Sequence, residues 1–344
     1  GVVGKRRQEH ADRHPDLITV AVCDRYFEHV EGIKEGDKAH GMRRYTNYST
    51  MLEREDLDIL FVCLTNDIAA EVTIAGLEAG LHVFCEKPPG RNLDDLLNVM
   101  ACEKRHPNLK LKYGFNHRYH DSVRDALEIV HTKQLGEVLN MRGVYGKSKI
   151  ISFDKNASNW RTQRALAGGG ILLDQGIHLV DLLRLFAGSE FSEIHSFISN
   201  DFWKHDIEDN AFALMRTPDR KVAFLHSSAT QWRHRFNLEI SLEKGTIILS
   251  GILSGSKSYG AETLTVAWAS DEDKGDPKEQ TTRYVEDPSW ADEIAVFTEA
   301  IQKDGPIVDG SSKDALATMR LVFQIYCADP EWQKKWGLSA DIPE

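Results

Sequence analysis

Apolar and polar positions follow two rhythms along this chain, and the change falls near residue 120. Before it, short apolar runs alternate with amphipathic stretches. "LITVAVCD" (17–24), "DILFVCLT" (58–65), "HVFCEK" (82–87) and "LKLKYGFN" (109–116) read as buried strands, and "GVVG" reads as the end of a first strand. Between them, residues 5–14, 69–80 and 92–106 have helical spacing, the last started by Asn92 as a cap. Continuous apolar strands alternating with helices predict a parallel, doubly wound sheet. After residue 120 a helix (121–134) and a strand (138–145) lead to a helical segment at 168–188. From 191 to 286 the chain reads as successive strands separated by turn signals, which predicts a large, mostly antiparallel open sheet. "DEDKGDPKEQ" (271–280) reads as a charged surface loop, and helices at 290–303 and 312–328 close the chain. The predicted fold class is α/β: a doubly wound domain over 1–120 and an α+β domain over 121–344.

One segment breaks its own pattern. "GGGILLDQGIHLVDLLRLFAG" (168–188) is nearly all apolar, yet Asp174, His178 and Asp181 interrupt it. At 100° per residue the three fall within about 60° of one another. Burying unpaired carboxylates is costly. The stripe therefore either satisfies itself internally or faces a cavity where polar chemistry occurs, and Asp181 reads as the member that caps or braces the interdomain packing.

Composition narrows the partners. A formal net charge of −11 argues against nucleic acid or an anionic membrane surface as the main ligand. Five cysteines without CxxC or paired spacing predict reduced thiols in a cytoplasmic, reducing compartment and mark no metal site. No signal peptide or run of 18 apolar residues stands out. The chain begins inside "GVVG", and a longer native N-terminus is expected.

The first domain carries the parts of a dinucleotide site. In a Rossmann unit, glycines after the first strand let the backbone approach a pyrophosphate, and an acid about 20 residues on takes the ribose hydroxyls. Gly4 and Asp24 are 20 apart, and Asp24 ends a strand. With Gly4 counted as the first or second glycine the motif is broken, because Lys5, Arg6 and Arg7 stand where it would continue. These cations then hold phosphate by charge. Asp24 followed by Arg25 favours NAD over NADP.

Several motifs together carry a resemblance. "EKPPG" (86–90) follows a strand, and "GFNHRY" (114–119) follows the next. "WR" (160–161) precedes the glycine-rich segment, and "EDNAFALMR" (208–216) opens a sheet strand. In this order they resemble the Gfo/Idh/MocA oxidoreductases, named for glucose–fructose oxidoreductase and inositol dehydrogenase. The likeness covers roughly residues 1–330. It implies a Rossmann domain binding NAD or NADP, a second domain whose open sheet covers the substrate, and hydride transfer at a carbon of a sugar, nucleotide-sugar or cyclitol. It also implies that Lys87 is the lysine of the EKP element, that Asp174 and His178 are the catalytic pair, and that Asp24 is the ribose acid. Thr65, Asn66 and Glu86 fall on the cofactor side. Ala69 stands where the family often has a histidine. Two alternatives stay open: an NAD-dependent glycosidase of the same fold, and a non-catalytic relative with a degraded cofactor loop.

Within that frame His178 is the base for the hydroxyl proton, Asp174 orients it, and Lys87 either steadies the substrate oxygen or, as a cofactor contact, holds the nicotinamide ribose. Asn116 and Arg118 lie just past a strand's C-terminal end, the ligand edge of such a sheet. Trp160 and Arg161 offer a sugar platform. In "QWRHR" strand alternation places Gln231, Arg233 and Arg235 on one face, which would make an anion-binding wall. The open sheet predicts a homodimer or homotetramer, with apolar residues at 221–229 and 246–250 covered.

Overall fold

Short apolar runs do become strands in the first third of the chain, though shorter than their hydrophobic signal. The structure is a computed structural model, and it describes residues 1–29, 37–39, 41–149, 160–254, 258–272 and 275–342. Helix α1 (Val2–Ala11) comes first, then strands β1 (Ala21–Cys23), β2 (Asp37–Ala39) and β3 (Met42–Tyr45). Helix α2 (Tyr48–Arg54) is capped by Asn47, whose side chain accepts from the Thr50 N–H at 3.1 Å. Strands β4 (Ile59–Val62), β5 (His82–Glu86) and β6 (Leu111–Gly114) alternate with helices α3 (Asn66–Glu78) and α4 (Leu93–Glu103). Strands β4, β5 and β6 pair in parallel in that order. Strand β1 pairs in parallel with β3, which also takes β2 antiparallel.

Two compact units result. The first comprises Gly1–Gly90, Asp94–Gly114 and Trp290–Leu316; the second holds Arg91–Leu93, Phe115–Ser289 and Ala317–Glu344. A single cut at residue 120 therefore misses the return of 290–316 to the first unit. The cause is packing and charge. On the helix Ser289–Gln302, Phe297 stacks edge-on against Phe61 and Phe84, with ring centroids 6.4 and 5.6 Å away. Glu293 accepts from the buried Arg7 at 2.5 Å.

The second unit is an eight-stranded sheet with helices on one face. Helix α5 (Asp121–His131) precedes β7 (Val138–Gly146), and α6 (Arg164–Ala167) precedes a π-helical turn at Leu172–Gly176 and helix α7 (Ile177–Ala187). The remaining strands are β8 (Glu193–Ser199), β9 (Asn210–Arg216), β10 (Val222–Ser228), β11 (Arg235–Leu242), β12 (Gly245–Ser250), β13 (Glu262–Trp268) and β14 (Glu279–Tyr284). Their spatial order is β14-β13-β12-β11-β7-β10-β9-β8. Pairing is antiparallel except between β7 and β10. Alternation buries Ala211, Ala213 and Met215 on β9 and Phe236, Leu238 and Ile240 on β11, while their neighbours face outward. Helix α7 lies so close to β7 that a Cβ on Gly143 would meet Leu179 at 2.7 Å. The run Arg164–Ala187 is long and apolar enough to cross a membrane, but 83% of its 18-residue apolar window is buried inside the protein, as for a core helix. Residues 273 and 274 of the predicted charged loop lie outside the described residues, and β14 begins within its last two positions.

Candidate active site

The dinucleotide half begins with a correction. "GVVG" is not a strand end: Gly1 is the N-cap of α1 and Gly4 lies in its first turn. The helix is set there by Arg7. Its guanidinium is buried between Glu86 and Glu293, 2.5 Å from each, and lies 4.4 Å from the ring centres of both Phe84 and Trp290. A Cβ on Gly4 would touch the Cβ of Cys63, just past β4, at 3.4 Å, so the small residue permits close helix–strand packing. Gly1 and Gly4 therefore have the spacing and setting of the last two glycines of GxGxxG, whereas the sequence reading had counted Gly4 as an earlier one. Asp24 closes the arrangement. Its Oδ2 is 2.9 Å from the Gly1 nitrogen. Burial works against its charge, but hydrogen bonding, first of all from the Tyr26 N–H, prevails and holds its carboxyl below the usual range. A helix N-terminus with small residues beside an ionised acid fits the pyrophosphate and ribose of a dinucleotide.

Not every predicted contact survives on this side. Arg7 is consumed by its two carboxylates, so it makes no cationic phosphate grip; Arg6 lies 5.0 Å from the Trp290 ring centre and Lys5 is exposed. Glu86 spends its carboxylate on Arg7, a structural pairing rather than a cofactor contact. Arg25 is exposed, 5.8 Å from the Tyr26 ring centre. Thr65 holds the N-cap position of α3, and Asn66 is buried in its first turn. Lys87 is half-buried at the end of β5 and opens a cis peptide to Pro88.

The second unit explains its glycine run by contact. Gly168 has φ +80, and a Cβ there would meet the Arg91 carbonyl oxygen at 2.0 Å; at Gly170 it would meet that of Glu208 at 2.0 Å. The fully buried Glu208 carboxylate accepts from the N–H groups of Gly170 (2.7 Å) and Leu172 (2.9 Å) and from the Tyr326 hydroxyl (2.7 Å). It thus caps the segment that presents Asp174 and His178. Burial pushes the Glu208 carboxyl above its ordinary value.

The π turn breaks the 100° step on which the polar stripe was drawn, and its three members go to separate partners. Asp181 is sealed: Arg118 donates to both its oxygens, at 2.7 and 2.5 Å, and Thr318 donates at 2.9 Å. Arg118 is therefore a bracing residue, not the substrate ligand expected of it. Asp174 keeps 22% of its side chain exposed and sits between Lys147 (3.1 Å) and Arg161 (3.4 Å). His178 is 6% exposed and stacks flat on His117, with ring centroids 3.8 Å apart and planes 12° from parallel. Asn116 is buried and donates to Ser289 at 3.1 Å. Trp160 carries the Arg161 guanidinium 4.3 Å from its ring centre.

The structure thus joins Asp174, Arg161 and Trp160, and separately His178 with the 116–117 turn. It adds Lys147 and His117, which the sequence reading passed over. Their only signal was position: each follows or ends a strand near a residue already singled out. "QWRHR" gives no wall, because 231–234 is irregular and β11 starts only at Arg235. Arg233 and Arg235 are exposed, and His234 is held by Ser148 and Ser258. Elsewhere Glu78, Cys102 and His106 gather within 4.8 Å, but Arg105 already pairs with Glu78 and burial pushes the Cys102 thiol up. We read a hydrogen-bonded helix contact.

Two family models match. Residues 1–115 match the oxidoreductase family with an NAD-binding Rossmann fold, and residues 123–248 match the GFO/IDH/MocA C-terminal domain. The chain belongs to the Gfo/Idh/MocA family. D-glucoside 3-dehydrogenase of Escherichia coli is 31% identical over 196 residues, covering 55% of this chain and 51% of that protein. Myo-inositol 2-dehydrogenase of Thermotoga maritima is 24% identical over 258 residues, 73% of each. Across the curated relatives, the chain spans about half the length of several that it matches. A solved levoglucosan dehydrogenase, in complex with NADH and levoglucosan, superposes with a TM-score of 0.80 at 20% identity, covering 99% of this chain and 97% of that one. Such distant likeness establishes the shared Gfo/Idh/MocA fold: a Rossmann-like half and a larger, mostly antiparallel sheet.

Proposed function

We propose that this protein is an NAD(P)-dependent oxidoreductase that moves hydride between nicotinamide and a secondary alcohol carbon of a sugar, nucleotide-sugar or cyclitol. The observation that carries the reading is that one capped segment presents both a buried imidazole, His178, and, four residues earlier, a solvent-reached carboxylate, Asp174. Bound at the α1 N-terminus, the dinucleotide supplies the hydride acceptor or donor. His178 takes the hydroxyl proton, and Lys87 hydrogen-bonds the substrate oxygen. Asp174, with two cations on one carboxylate, leaves a surplus positive charge that suits a developing alkoxide or an anionic substituent. Relatives named for inositol and glucoside dehydrogenation support the substrate class.

Asp24 favours NAD, since its charge repels a 2′-phosphate. The GxxG spacing of Gly1 and Gly4 removes the reason for a non-catalytic reading. The five free thiols suit a reducing, cytoplasmic compartment. We further propose a homodimer or homotetramer through the open sheet face, where Phe197, Phe212 and Leu214 on β8 and β9 are exposed. This shifts the interface outward from the strands first favoured.

The test is titration of the protein with NADH and NADPH by tryptophan-to-nicotinamide energy transfer, followed by a panel of polyols watched for reduced nicotinamide. NADH should bind about tenfold tighter than NADPH. His178→Asn should keep that binding and lose about 10²–10⁴ in kcat. Absence of binding at millimolar NADH, or unchanged turnover in His178→Asn, defeats the proposal.

A further inference from the structure

The stacked partner of His178 sits in a hydrogen-bond chain whose polarity can be deduced. The Asp287 carboxylate accepts only, so Ser289 Oγ–H donates to it, at 2.6 Å. Ser289 Oγ must then accept from Asn116 Nδ2, at 3.1 Å. That fixes the Asn116 amide and turns its Oδ1 toward His117 Nδ1, at 3.3 Å. An amide oxygen needs a donor, so His117 carries its proton on Nδ1. Nε2 then holds the lone pair and accepts a hydrogen bond from the Tyr145 hydroxyl, at 3.1 Å. Tyr145 is suited to donate, because burial first, then Tyr259 and Asp174, keep its hydroxyl protonated far above the ordinary range.

His117 is thereby held at both edges in one neutral tautomer, with a ring face against His178. It is ill placed to be the base, because a second proton would displace the Tyr145 donor from Nε2. We propose that His117 is a positioning residue for His178, a neutral aromatic platform that fixes the plane of the base and steadies the imidazolium formed when the base takes a proton. The inference rests on the reading of His178 as the base. A cation over a neutral aromatic face is favoured most where water is excluded, and both rings are buried. The other ionisable groups around the stack are already engaged. His120 pairs with Glu262 and lies 3.8 Å from Asp287. Arg118 pairs with Asp181, Lys147 and Arg161 with Asp174, and Tyr259 with Gln175.

The test uses the full chain labelled with ¹⁵N-histidine and needs no substrate. The His178 signals are those missing in His178→Asn. In His117→Leu, which removes the aromatic face, the His178 titration midpoint should fall by about one pH unit; in His117→Phe, which keeps it, the shift should be less than half of that. Kinetics with a turned-over polyol add a second readout. The kcat should fall about tenfold in His117→Leu with KM little changed, its acid limb moving to lower pH, and His117→Phe should restore most of it. Should His117→Leu not fold, Tyr145→Phe removes only the donor to Nε2. A new His117 titration should then appear while the His178 midpoint drops. Unmoved His178 midpoints in the folded variants, or His117→Phe as impaired as His117→Leu, overturn the proposal. A wild-type protein that binds no NADH defeats the functional reading instead, and the titrations still judge the stack.

Discussion

Asp174 and Asp181 stand seven residues apart on one buried segment, and they are opposites. Asp181 is 1% exposed and has a bidentate arginine and a threonine hydroxyl on its oxygens. Asp174 is 22% exposed, with two cations at 3.1 and 3.4 Å. A carboxylate sealed by short bonds has no capacity left for a ligand, whereas one with longer contacts and solvent access can exchange partners. Completeness of satisfaction, more than residue type or helical phase, separates the brace from the carboxylate left open to a ligand.

The sharpest way to break this comparison is to remove each carboxylate in turn. Asp181→Ala strands Arg118 in the interior and should cost about 3–5 kcal/mol in urea unfolding. Asp174→Ala should cost under about 1 kcal/mol, because water reaches the site, yet lower kcat about 100-fold. Equal stability losses, or an Asp174→Ala enzyme of wild-type speed, would erase the distinction.

The comparison also marks what could be read from residue order. The strand-forming runs at 58–65 and 82–87 were legible because continuous apolar stretches between polar bounds have few other solutions. The Asp174–His178 segment was legible because polar groups in an apolar run demand explanation. Asp181 was set apart as a brace between domains, whereas its partners Arg118 and Thr318 lie in its own unit, 63 and 137 positions away and out of reach of any periodicity. His117 was passed over for the same reason: one histidine in a loop has no periodicity, and its meaning comes from the stack and from Tyr145, 28 residues on. The reading of "QWRHR" failed because strand alternation was extended through a turn. The glycine motif was misnumbered because "GVVG" has strand-like valines, while the buried pairing of Arg7 with residues 79 and 286 positions away fixes it as a helix start.

A smaller effect sharpens the sealed side. Glu208 caps the glycine run only because Gly170 lets its backbone approach. Gly170→Ala would force the Glu208 carbonyl away from a contact of 2.0 Å. We expect a loss of about 1–3 kcal/mol in unfolding free energy, and a fall in kcat as the capped segment shifts. An alanine variant with unchanged melting and turnover would show that the cap does not position the pair.

The smallest effect concerns acid. Glu262 is a third sealed carboxylate: His120 meets it at 2.9 Å, Ser122 donates at 2.5 Å and the Leu253 N–H at 2.8 Å. Burial opposes its charge, but these partners outweigh burial and hold its carboxyl below the ordinary value. A carboxyl with a lowered folded value binds fewer protons folded than unfolded between the two values. Its contribution is therefore complete above the unfolded value of about 4.3 and is lost as pH falls through the folded one. Wild-type protein should lose its advantage over Glu262→Gln in that acid window, read as converging urea midpoints, and keep it at pH values above. A gap that stays constant as pH falls through that window would show that His120, Ser122 and Leu253 do not favour the charged form of Glu262.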